Sequence, residues 1–272
     1  MLEVGNTNTK VGVYEGDRLR VSWRLTSRRE QTADEYGLFI ETLLRTRGIE
    51  PRQIDGVALS NVVPPVQQTL ESMCEKYFAV APYSVEPGVN VAMPLAVDNP
   101  REVGADRITK SVAAAALYGP PLIVVDLGTA TTFDCVNAAG EFIGGAIAPG
   151  IFTATEALIA RAARLYRVEL VRPKEAIGRN TVTNIQSGVV YGYAGLVDGL
   201  VDRMKAEMAG RPKCIATGGH AALIANVARS IDSVNEDLGL EGLRLLWTRA
   251  QGRGRGAAAL TPAGVAGILH QI

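Results

Sequence analysis

The chain has 272 residues, 47% hydrophobic and 21% charged, with 28 basic against 28 acidic side chains. That length supports one large domain or two smaller ones, and the balanced charge excludes the broad positive field that nucleic acid or an anionic membrane surface requires. Three scattered cysteines without a C-x-x-C pair and only two histidines argue against a disulfide framework and a histidine metal site, and the N-terminus has neither a basic leader nor a long apolar run, so a cytoplasmic protein is expected.

The first elements are short and β-like. A strand ends in the turn Glu3-Val-Gly-Asn-Thr-Asn-Thr-Lys10, a second runs from Val11 to Tyr14, and Glu15-Gly-Asp17 turns into a third, Leu19 to Leu25, of alternating polarity. Thr32 and Glu35 have the spacing of a capping box and open an amphipathic helix through Thr46. A buried-type strand follows at Gly56–Ser60, then a helix from Pro64-Pro65 to about Tyr77. Pro82–Pro100 reads as strand plus loop, and Arg101–Leu117 as a helix ended by Gly119-Pro120-Pro121.

The plan then repeats. Strands are expected at Ile123–Asp126, Thr131–Asn137 and Phe142–Ile147, with a turn at Ala139-Gly140, and a helix from Phe152 to about Ala163. Further helices are expected over Asn180–Met208, Ala221–Arg229 and Pro262–Gln271, with Arg249–Arg255 as a solvated loop before the last. A strand-turn-strand-turn-strand-helix unit appearing twice predicts duplicated α/β halves, 1–118 and 119–272, each a mixed sheet flanked by helices.

Both units carry an acid, a glycine and closely spaced hydroxyls at the end of the first strand: Glu3 to Lys10, and Asp126-Leu-Gly-Thr-Ala-Thr-Thr132. Such a turn offers a carboxylate for a hydrated cation and exposed N–H and O–H donors for phosphate oxygens. A plain strand-ending turn accounts for one such tetrapeptide equally well. Two of them, with Ala216-Thr-Gly-Gly219 as a third glycine element, point to half-sites for one nucleotide. Neither turn has the Gly-Lys-Ser/Thr ending of a P-loop, and no G-x-G-x-x-G follows the first strand.

These motifs, taken in order, resemble the type III pantothenate kinases, members of the superfamily of acetate and sugar kinases, heat-shock chaperone ATPases and actin. Besides the two phosphate turns, the resemblance rests on Asp98-Asn-Pro-Arg-Glu-Val-Gly-Ala-Asp-Arg-Ile108, Gly144-Gly-Ala-Ile-Ala-Pro-Gly150, Ile177-Gly-Arg-Asn-Thr181, Gln186-Ser-Gly188 and Tyr191-Gly192. It implies two actin-like (ribonuclease H-like) halves with the nucleotide cleft between them, and ATP-dependent phosphorylation of pantothenate, the first step of coenzyme A biosynthesis. ATP with magnesium is expected on Glu3, Val4, Gly5, Asn6, Thr7, Asn8, Thr9, Lys10, Thr129, Gly218 and Gly219. Pantothenate is expected on Gly104, Ala105, Asp106, Arg107 and Thr181.

The resemblance further makes Asp106 the catalytic base and Asp126 the ligand of a monovalent cation, potassium or ammonium. Thr181 would come from the second subunit of a homodimer. On the residues alone, Asp106-Arg107 reads more readily as an ordinary pair at a helix start, and a helix N-cap is a sound reading of Thr181. Two positions depart from the family pattern: Glu3 replaces aspartate, and Val97 stands where many members carry tyrosine. An alternative reading is a catalytically weak relative acting as a regulatory or accessory protein.

Overall fold

The computed structural model describes residues 1–253. Alternating polarity does produce β-structure in the first hairpins: β1 (Leu2–Val4), β2 (Asn8–Glu15) and β3 (Arg18–Thr26) form an antiparallel meander, and β3 alternates exposed and half-buried residues throughout. The Thr32 hydroxyl accepts from Glu35 N and the Glu35 carboxylate accepts from Thr32 N, which starts α1 (Ala33–Arg45) where the capping box predicts. β4 (Ala58–Asn61) then pairs parallel to β1, and α2 (Gln67–Phe78) leads to the short β5 (Tyr83–Ser84), parallel to β4. The sheet order is β3-β2-β1-β4-β5. Its buried face joins Val4, Val11 and Leu59 to Tyr36, Ile40 and Leu44 of α1 and Leu70, Met73 and Cys74 of α2.

The second sheet has the same plan. β6 (Leu122–Leu127), β7 (Ala130–Val136) and β8 (Phe142–Pro149) form a meander, α4 (Ile151–Arg161) and α5 (Thr181–Glu207) follow, and β9 (Lys213–Thr217) returns parallel to β6. After α6 (Ala221–Ala225), β10 (Ser233–Val234) adds to β9, giving the order β10-β9-β6-β7-β8. Read by position, β6 to β10 reproduce β1 to β5 strand for strand. The duplication expected from the repeated motif is therefore present in the topology.

Among the described residues, the contacts group 1–92, 99–112 and 239–253 into one unit, and 93–98 and 113–238 into another. The helix α3 (Ala105–Tyr118) contributes to both, and α7 (Leu238–Arg253) packs almost wholly with the first.

Several boundaries differ from expectation. α3 begins at Ala105 rather than Arg101, because Pro100–Glu102 forms a separate 3-10 turn and Val103 is extended. α6 ends at Ala225 instead of reaching Arg229. The Asp198 carboxylate draws the chain away there, accepting from Arg229 N and Ser230 N, each at 2.9 Å. Arg249 lies within α7, not in a solvated loop. The expected last helix, Pro262–Gln271, lies outside the described residues. Cys74, Cys135 and Cys214 are buried free thiols, and burial pushes Cys74 and Cys214 up to about 12.

Asp198 also yields a stability prediction. Burial alone would raise its pKa, but the hydrogen bonds from Ser230 and Arg229 outweigh burial and hold the carboxyl below the usual range. A carboxyl lowered in the folded state stabilises above its unfolded pKa, and that contribution is lost as pH falls through the folded value. Asp198→Ala leaves two backbone donors without their acceptor and should lower stability by about 2–4 kcal/mol at neutral pH. Urea titrations at pH 7 and pH 3 check this: the deficit should shrink in acid, and an undiminished deficit would contradict the assignment.

Candidate active site

In the first unit, β1 carries Glu3 two residues before Gly5. The turn that follows is closed by Gly5 N donating to Asn8 O at 3.0 Å, and it leaves Asn6, Thr7 and Asn8 exposed. Lys10, directly opposite Glu3 in the β1–β2 register, is half-buried. The side chains of Val4 and Thr9 are in the core, and the Thr9 hydroxyl pairs with that of Ser27 at 2.9 Å. Of the expected nucleotide contacts in this segment, these two have no side chain facing outward.

Asp106 sits in the first turn of α3, where unpaired N–H groups and the helix dipole favour a carboxylate. A Cβ on Gly104 would fall 2.7 Å from Asp106 Oδ1, so glycine leaves the space that the carboxylate uses. One helical turn on, the Lys110 ammonium lies 3.4 Å from Asp106 Oδ2 and 3.0 Å from Glu3 Oε1. The structure thus brings Glu3 and Asp106, remote in sequence, to one buried cation. Sequence reasoning did not find Lys110, although its i, i+4 spacing from Asp106 was available. α7 closes over Glu3 through Gly239, where any Cβ would meet the carboxylate at 2.3 Å. Room for the longer glutamate side chain comes from that glycine.

In the second unit, Asp126 occupies on β6 the position that Glu3 holds on β1. Each acid precedes its turn glycine by two residues, with an antiparallel neighbour on one side and a parallel one on the other. Gly218, just after β9, has φ +94°, and a Cβ there would lie 2.4 Å from Asp126 Oδ1 and 2.7 Å from Leu127 O. Both the backbone angle and the close approach therefore require glycine. The Gly128-Thr129 turn is pinned from α4: Gly150 N and the Thr153 hydroxyl both donate to Thr129 O, at 3.1 and 2.8 Å. Beyond Gly219, the His220 ring stacks at a tilt on Phe152, 4.6 Å between centroids, and its backbone N donates to Leu127 O. Neither aromatic belongs to the sequence motifs.

Thr181 is the first residue of α5, but Asn180 is the cap: its side chain accepts from Thr183 N while the Thr183 hydroxyl accepts from Asn180 N. Capping therefore does not account for Thr181. With Leu158 of α4 and Ile185 and Tyr193 of α5 it lines a cavity of about 520 Å³. A larger cavity in the first unit, about 620 Å³, is walled by Tyr14, Arg244 and Trp247 among others, and none of the expected site residues lines it.

The donors suit hard cations and phosphates. Asp126 supplies one carboxylate in a cradle that a Cβ at Gly218 would fill. Among the described residues no three His, Cys, Asp or Glu side chains converge on a point. A magnesium ion here would rely mainly on nucleotide oxygens and water, as it commonly does with nucleotides.

The duplicated β3-β2-β1-β4-β5 order, with an acid and glycine turn ending each central strand, defines the actin-like class of two-halved α/β folds. Solved structures share the fold. A Baf-family transcriptional activator from Campylobacter jejuni aligns over 92% of this chain and 98% of its own at 18% identity, TM-score 0.60. The activator of 2-hydroxyisocaproyl-CoA dehydratase from Clostridium difficile, with bound ADPNP, aligns over 96% and 98% at 10% identity, TM-score 0.51. The type III pantothenate kinase family model matches residues 1–203. Type III pantothenate kinases of Geobacillus sp. (strain WCH70) and Syntrophotalea carbinolica are 51% and 50% identical, covering 92% and 93% of this chain and 96% and 99% of their own. The chain belongs to the type III pantothenate kinase family.

Proposed function

We propose that this chain transfers the γ-phosphoryl group of ATP to the primary hydroxyl of pantothenate, giving 4'-phosphopantothenate and ADP, the first step of coenzyme A biosynthesis. The observation that carries this reading is the Asp106 carboxylate, held at a helix start and linked through one buried lysine to the acid of the first phosphate turn. Phosphoryl transfer asks little covalent chemistry of the protein; positioning and charge stabilisation do most of the work. Asp106 orients the hydroxyl and accepts its proton as the new O–P bond forms. Arg107 offers a planar fork to the pantothenate carboxylate, with Gly104 and Ala105 shaping the approach. The exposed Asn6, Thr7 and Asn8, the turn backbone, Lys10 and Thr129 donate to ATP phosphates, and Gly218-Gly219 lets the nucleotide pass close to the chain. Magnesium bound with ATP would be held mainly by nucleotide oxygens and water, with Glu3 nearby, and would neutralise phosphate charge.

Asp126 holds a monovalent cation in this reading. The activity should therefore rise with potassium or ammonium and respond poorly to sodium. Titrating each chloride at constant ionic strength checks it, and equal rates in sodium would remove the assignment.

The halves are read as 1–118 and 119–272, with α7 returning to the first. The working form is a homodimer in the cytoplasm, with Thr181 reaching the pantothenate bound by its partner. Support comes from apolar side chains on β8 and α4: Ile147 is 67% exposed and Phe152 49%. No helix among the described residues is long and apolar enough to cross a membrane. A coupled assay with ATP, magnesium, potassium and pantothenate tests the whole reading, and no ADP release dependent on pantothenate would sink it. The accessory-protein alternative has no comparable support, because likeness to the Campylobacter activator at 18% identity extends to the fold alone.

A further inference from the structure

Lys110 belongs to none of the motifs, yet its ammonium joins the two acids on which the first unit's chemistry depends. The side chains of Lys110, Glu3 and Asp106 are 10%, 16% and 27% exposed. An ordinary i, i+4 pair on a helix surface is solvated and contributes only a few tenths of a kcal/mol. This arrangement differs, because the second carboxylate comes from β1 and the group is largely withdrawn from water.

Three elements fix it. β1 presents Glu3, the first turns of α3 present Asp106 and Lys110, and α7 lies against both. A Cβ on Gly239 would reach the Glu3 carboxylate, and one on Gly242 would fall 2.0 Å from Thr109 O, so α7 touches α3 backbone beside Lys110. The ammonium has little room to swing elsewhere.

Two carboxylates sharing a partly buried pocket disfavour each other's ionised form. The ammonium between the two acids offsets the repulsion between them and fixes where each points. Because the same ammonium also bonds Glu3, any movement of the phosphate turn is transmitted to Asp106.

We propose that Lys110 is a positioning residue: it holds the Asp106 carboxylate in its aim and ties its placement to Glu3 of the phosphate turn. This rests on Asp106 being the base. The test compares wild type, Lys110→Met, Asp106→Asn and the double variant, each purified as the full chain and checked for folding by circular dichroism. Lys110→Met should lower kcat by about 10- to 100-fold, the cost of a misplaced reacting group, with the pantothenate KM changed less than about threefold. In the Asp106→Asn background, adding Lys110→Met should cost nothing further, since there is no base left to position.

Wild-type kcat in folded Lys110→Met would overturn the proposal, as would a loss that multiplies in the double variant. Should Lys110→Met not fold, Lys110→Gln, which keeps a donor without the charge, is measured by the same criteria. Failure of the underlying reading looks different: Asp106→Asn alone would then turn over normally.

Discussion

Asp106→Asn should fold normally and lose turnover by about 10²–10⁴-fold, the contribution of a general base. Asparagine preserves the shape over Gly104 and can still bond a hydroxyl, so substrate affinity should change little. What disappears is an acceptor for the proton as the O–P bond forms. Steady-state kinetics on the purified variant give the answer, with a thermal melt to verify the fold. Near wild-type kcat would show that the proton leaves by another route, and Asp106 would revert to a helix-start acid paired with Lys110.

Mixing two impaired variants should restore activity. Thr181→Ala should weaken pantothenate binding, because its hydroxyl is not used as the α5 cap, which Asn180 and Thr183 complete between themselves. If each site takes Asp106 from one chain and Thr181 from the other, an Asp106→Asn/Thr181→Ala heterodimer has one intact site and one doubly altered site. Equal mixing with free subunit exchange then makes about a quarter of all sites intact, the statistical share for a two-fold dimer. Assayed at low pantothenate, the mixture should exceed the sum of its parts. Verified exchange with no gain would show that the site is built within one chain.

Much of the fold was legible because its signals are local. Gly16 and Gly140 mark hairpin turns, β3 alternates, and Thr32 with Glu35 names the start of α1. The repeated acid-glycine-hydroxyl turn announced the duplication before any pairing was known. α7 was not legible, since Gly239, Gly242 and Gly252 each weaken a helical pattern by roughly 1 kcal/mol relative to alanine. Two of those glycines are there for contact, against Glu3 and Thr109, so the helix depends on packing that its own sequence cannot display. Asp106 and Asp126 were singled out through motif order. Lys110 was not, because an acid and a lysine four apart on a helix look like any solvated pair until β1 supplies the third member. Asp198 is similar: nothing near it in sequence indicates that it ends α6 from a distance.

The assignment of α7 to the first unit has a consequence for how the chain is made. Residues 1–92 and 99–112 leave the ribosome early, but the segment that closes over Glu3 begins at Gly239. At about 5–20 residues per second, roughly 6–25 s of synthesis separates the last early residue from the first late one. During that interval β1 and the start of α3 stand without the helix that packs on them, while the strands from β6 to β10 are being made. The unit whose synthesis begins first thus still lacks its packing helix when the last strand of the second sheet has been made.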